Sequence, residues 1–231
     1  MLTKGDFHIH STASDGDLSP TELIFYAKKR GIDTIAITDH NSTDGIAEAA
    51  EIGMKHGVSV IPGVELSTRY KGESIHMLGY FRNMSFYESI FQEVLKLIGS
   101  HRFKEAKSLL NNIIPIEPFG STVSVIDGIT FLKTFDASVV LAHPVRINRG
   151  IFHELLAFPF DGIEAKYCCN TTADTDFFIK EALLHFSFYT AGSDFHTHKN
   201  DHQKHCLVGQ PLLDELEIQT FLRNSGALII K

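Results

Sequence analysis

"DFHIH", residues 6–10, decides how the rest of this chain is read. Alternate side chains of a strand share a face, so His8 and His10 should project together while Phe7 and Ile9 point the other way. Two imidazoles side by side are either the start of a metal site or an accident of a polar strand face. The segments that follow decide between these readings.

Moving outward, Pro20 opens "SPTELIFYAKKRG", where Ser19 is a predicted N-cap, Glu22 answers it and Gly31 is a stop. "DTIAITDHN" reads as the next buried strand, followed by a helical "DGIAEAAEIGMKHG". "VSVIPGVELST" is a third strand region and "ESIHMLGYF" a fourth, and this alternation predicts parallel βα units. From about Ser85 to Asn112 the apolar spacing is helical, and Pro115 and Pro118 interrupt it. "VSVIDGITFLKTF" is a further helix leading into "ASVVLAHP". "FDGIEAKY", a helix from about Asp174 to His185, "SFYTAGSDFH" and a last helix, "LLDELEIQTFLRNSG", complete the pattern. No repeat or low-complexity linker divides it. One domain over residues 1–231, with a helical insertion at about 83–125, is the expectation.

The 231 residues, 43% of them hydrophobic, suffice for an α/β barrel built as one unit. No apolar run is long enough for a membrane span, and no secretory signal is read at the start. A net charge of −7 argues against binding long nucleic acid through a basic surface. Three cysteines, Cys168, Cys169 and Cys206, are an odd count with two adjacent; that is a poor disulfide framework and fits a reducing cytoplasm. Neither the vicinal cysteines nor apolar residues such as Phe152 define an oligomer interface.

The 13 histidines stand out more than the charge. His8 and His10 close the first predicted strand, with Asp15 in the loop beyond it. His40 closes "TIAITDH", Glu65 closes "VIPGVE", and His76 sits in "SIHMLGY". His143 closes "SVVLAH", and Asp194 and His196 close "YTAGSDFH". Strand ends of parallel α/β folds converge on one face, which would gather these residues into one cluster. Imidazole and carboxylate bind Zn, Mn or Fe(II), and carboxylates can bridge two ions. Nine such residues exceed what one tetrahedral ion needs, so roughly two to three divalent ions are expected. Clustered metals of this kind activate water and hold phosphoryl oxygens, which points to a hydrolytic site.

In order, "DFHIHSTASDG", "AITDHN", "GVELS", "IHMLGY", "LAHP" and "GSDFH" resemble the PHP (polymerase and histidinol phosphatase) superfamily across nearly the whole chain. The resemblance implies a distorted (β/α)7 TIM-like barrel with a trinuclear metal centre that hydrolyses phosphate esters. Its ligand positions match His8, His10, Asp15, His40, Glu65, His76, His143, Asp194 and His196 without substitution. It implies that His8, His10, Glu65 and Asp194 surround one ion. Glu65 would bridge to a second ion held by His76 and His143, with Asp15, His40 and His196 on the third. The insertion here is more compact than in many relatives active on nucleotides. A small phosphate mono- or diester is the expected substrate, with a nucleotide or an oligonucleotide end among the candidates.

Other residues are weighed against plainer readings. Asp15 in "SDGD" could be ordinary turn chemistry. Asp39, beside His40, should point away from the metals and support them through a hydrogen bond. Arg146, and less so Arg149, follow "AHP" and could clamp phosphate, as could Arg102 on the inserted helix; solvated surface is the alternative for each. "HTHKNDHQKHC" holds His198, His202 and His205, in which a polar loop is favoured over a second metal site, with His198 left as a residue near the substrate. Lys166 and Tyr167 should line the pocket mouth, and Cys168 and Cys169 should be packing residues. Two rivals to the phosphoesterase reading remain. One is an amidohydrolase, which would want a bridging carboxylated lysine; the other is a metal-binding module without catalysis.

Overall fold

The apolar runs become strands and the amphipathic stretches between them become helices. A computed structural model describes residues 2–115, 122–198 and 206–231. The chain opens with β1 (Lys4–Ile9), buried beyond Lys4. In α1 (Pro20–Lys29), Ser19 and Glu22 form the expected reciprocal cap, and Pro20 sits in the first turn, where its missing N–H costs nothing. β2 (Thr34–Ile37), α2 (Ile46–His56) and β3 (Ser59–Tyr70) follow, and β1, β2 and β3 pair in parallel.

The expectation of parallel units fails at β4 (Glu73–Phe81). Only Lys71 and Gly72, both at positive φ, separate it from β3. Two residues close a hairpin, never a parallel crossover, so β4 runs antiparallel to β3 and also to β5 (Ala137–Leu141). The helical stretch after β4 is likewise two helices, α3 (Ser89–Gly99) and α4 (Phe103–Leu110), separated at His101 with φ 57°. α5 (Val125–Thr134) then leads into β5.

The parallel pattern resumes with α6 (Arg149–Leu155), β6 (Gly162–Tyr167), α7 (Thr172–His185) and β7 (Tyr189–Gly192). A short β8 (Leu213–Asp214) lies antiparallel beside β1, and α8 (Glu215–Ser225) closes the pattern. The sheet order is β7-β6-β5-β4-β3-β2-β1-β8. Its flanks meet just past β1 and β7, where Asp194 N donates to His8 O (2.9 Å) and His10 N to Phe195 O (3.0 Å). The result is a nearly closed, distorted α/β barrel, as expected.

One half of the barrel interior is filled by Phe7, Ala36, Ile61, Leu78, Tyr80 and Val140, against which Ile218 and Phe221 of α8 pack. Ile9 belongs instead to the larger core that includes the helix faces. Phe7 and Ile9 therefore do not share surroundings as simple alternation predicts; the β1–β2 register shifts between Asp6 and Ile9. Among the described residues no helix is long and apolar enough to cross a membrane.

Candidate metal centre

A single buried carboxylate organises the site. Glu65 Oε2 lies 3.1 Å from each of His8 Nε2, His10 Nε2 and His40 Nδ1. Its Oε1 lies 2.9 Å from His76 Nδ1 and 3.0 Å from His143 Nε2. Asp194 Oδ1 stands 3.5 Å from His8 Nε2 and 3.2 Å from His10 Nε2. Asp15 Oδ1 stands 3.2 Å from His196 Nε2. All nine sequence-predicted ligands are thus brought together from strands far apart in the chain.

Their placement follows from the strands, with one correction. His8 and His10 do lie at the end of β1, and His40 follows β2, but Glu65 is inside β3, which continues to Tyr70. Glu65 is level with the end of β2 because the shorter β2 stops beside it, where His40 bridges to Glu65. His76 lies near the start of β4, and the antiparallel direction of that strand brings its beginning to the face where parallel strands end. Asp39 points away from the cluster: its carboxylate accepts from Ser11 N (2.6 Å), Ser11 Oγ (2.7 Å) and Ser14 Oγ (2.7 Å), which fixes the turn carrying Asp15. Asn41, His143 and Asp194 all adopt positive φ, a backbone strain that packed surroundings must hold. Asn41 is held by Ser67, whose N–H donates to its side-chain oxygen at 3.0 Å.

Packing this many carboxylates inside a barrel makes a field that favours cations. Burial works against charging His10, yet Asp194 and Glu65 outweigh it and push that imidazole up to about 9. His8 is likewise raised, with Glu164, Glu65 and Asp194 overcoming its burial. Burial alone would raise Glu65, but the surrounding imidazoles hold it well below the usual carboxylate range. His40 goes the other way, down to about 4, through burial and the neighbouring His10 and His76.

One supporting residue, Glu164, escaped the sequence reading, and Tyr167 was expected only at the pocket mouth. Glu164 is fully buried; it accepts from His8 Nδ1 (3.0 Å) and from the backbone N–H of His143 (2.7 Å). This leaves His8 Nε2 facing the cluster as a lone-pair donor. Tyr167 donates to Asp194 Oδ2 (2.8 Å) and packs its ring 5.1 Å from the Arg146 guanidinium. Period-two alternation would put Glu164 and Lys166 on one face. A register shift between them breaks that pattern, so Lys166 turns to Glu217 (2.6 Å) and away from the pocket mouth where it was expected.

The cation candidates separate clearly. Arg146 lines the metal cleft, a cavity of about 170 Å³, with its guanidinium 3.5 Å from Asp194 Oδ2. Arg149 is held elsewhere, 4.1 Å from the Phe177 ring and 3.6 Å from Asp174. Arg102 does not reach the cleft either: it stands at the N-terminal boundary of α4 and forms an exposed ion pair with Glu105 one turn on. His198 is exposed on the side of Glu22, outside the cleft lining, while His202 and His205 lie outside the described residues. Cys168 is not a simple packing residue: it is disulfide-bonded to Cys206, with Cα atoms 5.5 Å apart across 38 positions. An odd count of cysteines concealed one bridge, so it does not argue for a reducing compartment. Cys169 is exposed beside it.

The residues fit divalent metals. His8 Nε2 and His10 Nε2 sit 3.1 Å apart and share one carboxylate oxygen, as lone pairs directed at a common cation do. Among the described residues, the buried Nδ1 atoms of His10 and His143 have no hydrogen-bond partner, and His40 Nδ1 approaches Glu65 without hydrogen-bond alignment. Three ligand groups emerge, each with donor atoms within 4.8 Å: His8, His10, Glu65 and Asp194; His10, Asp15, His40 and His196; and His40, Glu65 and His76. The first matches the expected set. The second adds His10, and in the third His40 takes the place expected of His143, which remains against the same Glu65 oxygen.

Residues 6–116 match the family model of the PHP domain. The chain is 47% identical over 79 residues to a 5'-3' exoribonuclease of Haemophilus influenzae, a match covering 34% of this chain and 29% of that protein. It is 42% identical over 74 residues to a 3',5'-nucleoside bisphosphate phosphatase of Chromobacterium violaceum, covering 32% of this chain and 26% of that one. The chain therefore spans under a third of these relatives. Among solved structures, a protein of Bifidobacterium adolescentis described as a metal-dependent phosphoesterase superposes with a TM-score of 0.75 at 21% identity, over 96% of each chain. At that identity the likeness speaks for the fold.

Proposed function

We propose, from the match of residues 6–116 to the PHP domain family model, that this chain belongs to that family and is a metal-dependent phosphoesterase acting on a small phosphate mono- or diester. The observation that carries this reading is Glu65, one buried carboxylate approached by the imidazoles of His8, His10, His40, His76 and His143 at 2.9–3.1 Å. The three ligand groups would hold two to three divalent ions, drawn from Mn, Fe and Zn by the chemistry of the donors. When bound, such ions supply activation of water and neutralisation of phosphoryl charge.

The chain's own groups do the rest. Arg146 offers a fork of donors at the cleft wall, suited to two non-bridging phosphoryl oxygens. Tyr167 and Asp194 restrain that guanidinium before substrate arrives, which limits the ordering cost of binding. Glu164 fixes the ring of His8 and the backbone of His143. An amidohydrolase would want a lysine where Glu65 stands; Lys166, near the end of β6, is bound to Glu217 instead.

The test is hydrolysis of aryl phosphate mono- and diesters, nucleotides and sugar phosphates by protein reconstituted separately with Mn, Zn and Fe(II). Turnover of one ester class, abolished by chelator, is expected. Silence across the panel from protein that demonstrably binds these metals would overturn the phosphoesterase reading.

A further inference from the structure

A polar groove of about 560 Å³ lies between the loop after β2 and helix α3, and it shares His40 with the metal cleft. Resting on the phosphoesterase reading, we propose that this groove receives the leaving group of the substrate, and that this group is neutral and rich in hydroxyls, as in a sugar or polyol monophosphate.

Three properties of the lining support this class of ligand. First, hydrogen-bonding side chains, among them Ser42, Asp44, Gln92, Glu93 and Lys96, supply most of the lining residues. Hydroxyls both donate and accept, so they can satisfy carboxylate, amide, ammonium and hydroxyl groups together. Second, no Phe, Tyr or Trp lines the groove among the described residues, so a nucleobase placed here would find no ring to stack upon. Such stacking is worth about 1–3 kcal/mol per base where it occurs. Third, among the described residues of the lining, the carboxylates of Asp44 and Glu93 stand against the single ammonium of Lys96. A second phosphate in the groove would meet a wall with an excess of negative charge. Arg102, a potential balancing charge in the same insertion, is paired with Glu105 and does not line the groove.

The geometry also identifies which residues set selectivity. Gln92 and Glu93 lie in α3, and His40 joins that wall to the cleft. A phosphoryl group held in the cleft can therefore extend its ester substituent past His40 toward the polar side of α3. The compact insertion between β4 and β5 thereby becomes a specificity element for the same site.

Metal-loaded protein is assayed with sorbitol 6-phosphate, adenosine 3',5'-bisphosphate and phenyl phosphate, and binding of a hydrolysis-resistant sorbitol phosphonate is followed by calorimetry. Sorbitol 6-phosphate is expected to exceed the bisphosphate in kcat/KM by about tenfold or more. Gln92→Leu and Glu93→Leu should each lower the ratio of kcat/KM for sorbitol 6-phosphate over phenyl phosphate by about tenfold, and weaken the phosphonate to a similar degree. Preference for the bisphosphate, or ratios and phosphonate affinities unmoved by both variants, would overturn the groove assignment while leaving the phosphoesterase reading in place. Absence of turnover on all three, phenyl phosphate included, would instead strike at that reading itself.

Discussion

Glu164 is where the chemistry of single residues is most exposed to test. Its two oxygens accept from two different donors, the His8 ring and the His143 main chain. A glutamine has one acceptor oxygen and an amide that can only donate, so Glu164→Gln must lose one of these bonds whichever way it turns. The variant should fold, yet bind metal about 10–100-fold more weakly, as measured by competition with a chromogenic chelator. Wild-type affinity in that variant would mean that the His8 and His143 geometry is set without Glu164. The candidate ligands could be picked out in the sequence, since His, Asp and Glu at the ends of apolar runs suggest a convergent cluster, and the structure does bring them together. Glu164 was not, because it sits in "FDGIEAKY" as an unremarked strand residue. Only the register shift before Lys166 separates it from its neighbour's surroundings. No period-two reading contains that shift.

At the scale of elements, the decisive contact is between the first and last long strands of the barrel. Gly192 ends β7 against β1, and a Cβ at that position would collide with His8 Cβ and Glu164 Oε1. Gly192→Ala is therefore expected to destabilise the fold by about 1–3 kcal/mol through overpacking, read as a lower denaturant midpoint. A variant with an unchanged midpoint would show that the two strands have room to spare where the structure packs them tightly. Most elements could be anticipated from caps and periodicity: Ser19 with Glu22 opens α1 as expected. The reversal of β4 could also have been found, because Lys71-Gly72 leaves no length for a crossover. What local pattern could not give was the pairing of β4 with β5, since α3, α4 and α5 intervene between them.

Across the whole molecule, the candidate metal centre and the fold are coupled through buried charge. Asp6, Glu65 and Glu164 have no exposed surface, and Asp194 is nearly as buried. Asp6 is held by backbone donors from Ser193 and Gly209, yet burial still raises its pKa to about 6. Glu65 and Asp194 instead face imidazoles that metal ions would bridge. The barrel is thus a chain of strands drawn around a carboxylate-rich interior, and anything that binds the ligands in the folded state but not in the unfolded chain must stabilise the whole. The sequence indicated this coupling, because the nine candidate ligands come from β1, β3 and β4 and from the segments after β1, β2, β5 and β7. It did not indicate the tie between Cys168 and Cys206, which depends on two loops meeting in space. Protein stripped by chelator should consequently melt at a lower temperature than protein with excess Mn or Zn. The melting temperature should climb with metal concentration, each site contributing about 2.7 kcal/mol when free metal stands a hundredfold above its Kd. Differential scanning calorimetry across a metal titration gives the answer directly. A melting temperature indifferent to metal, in protein shown to bind it, would mean that the ligands are held equally well by the unfolded chain, contrary to a site assembled only when the barrel closes.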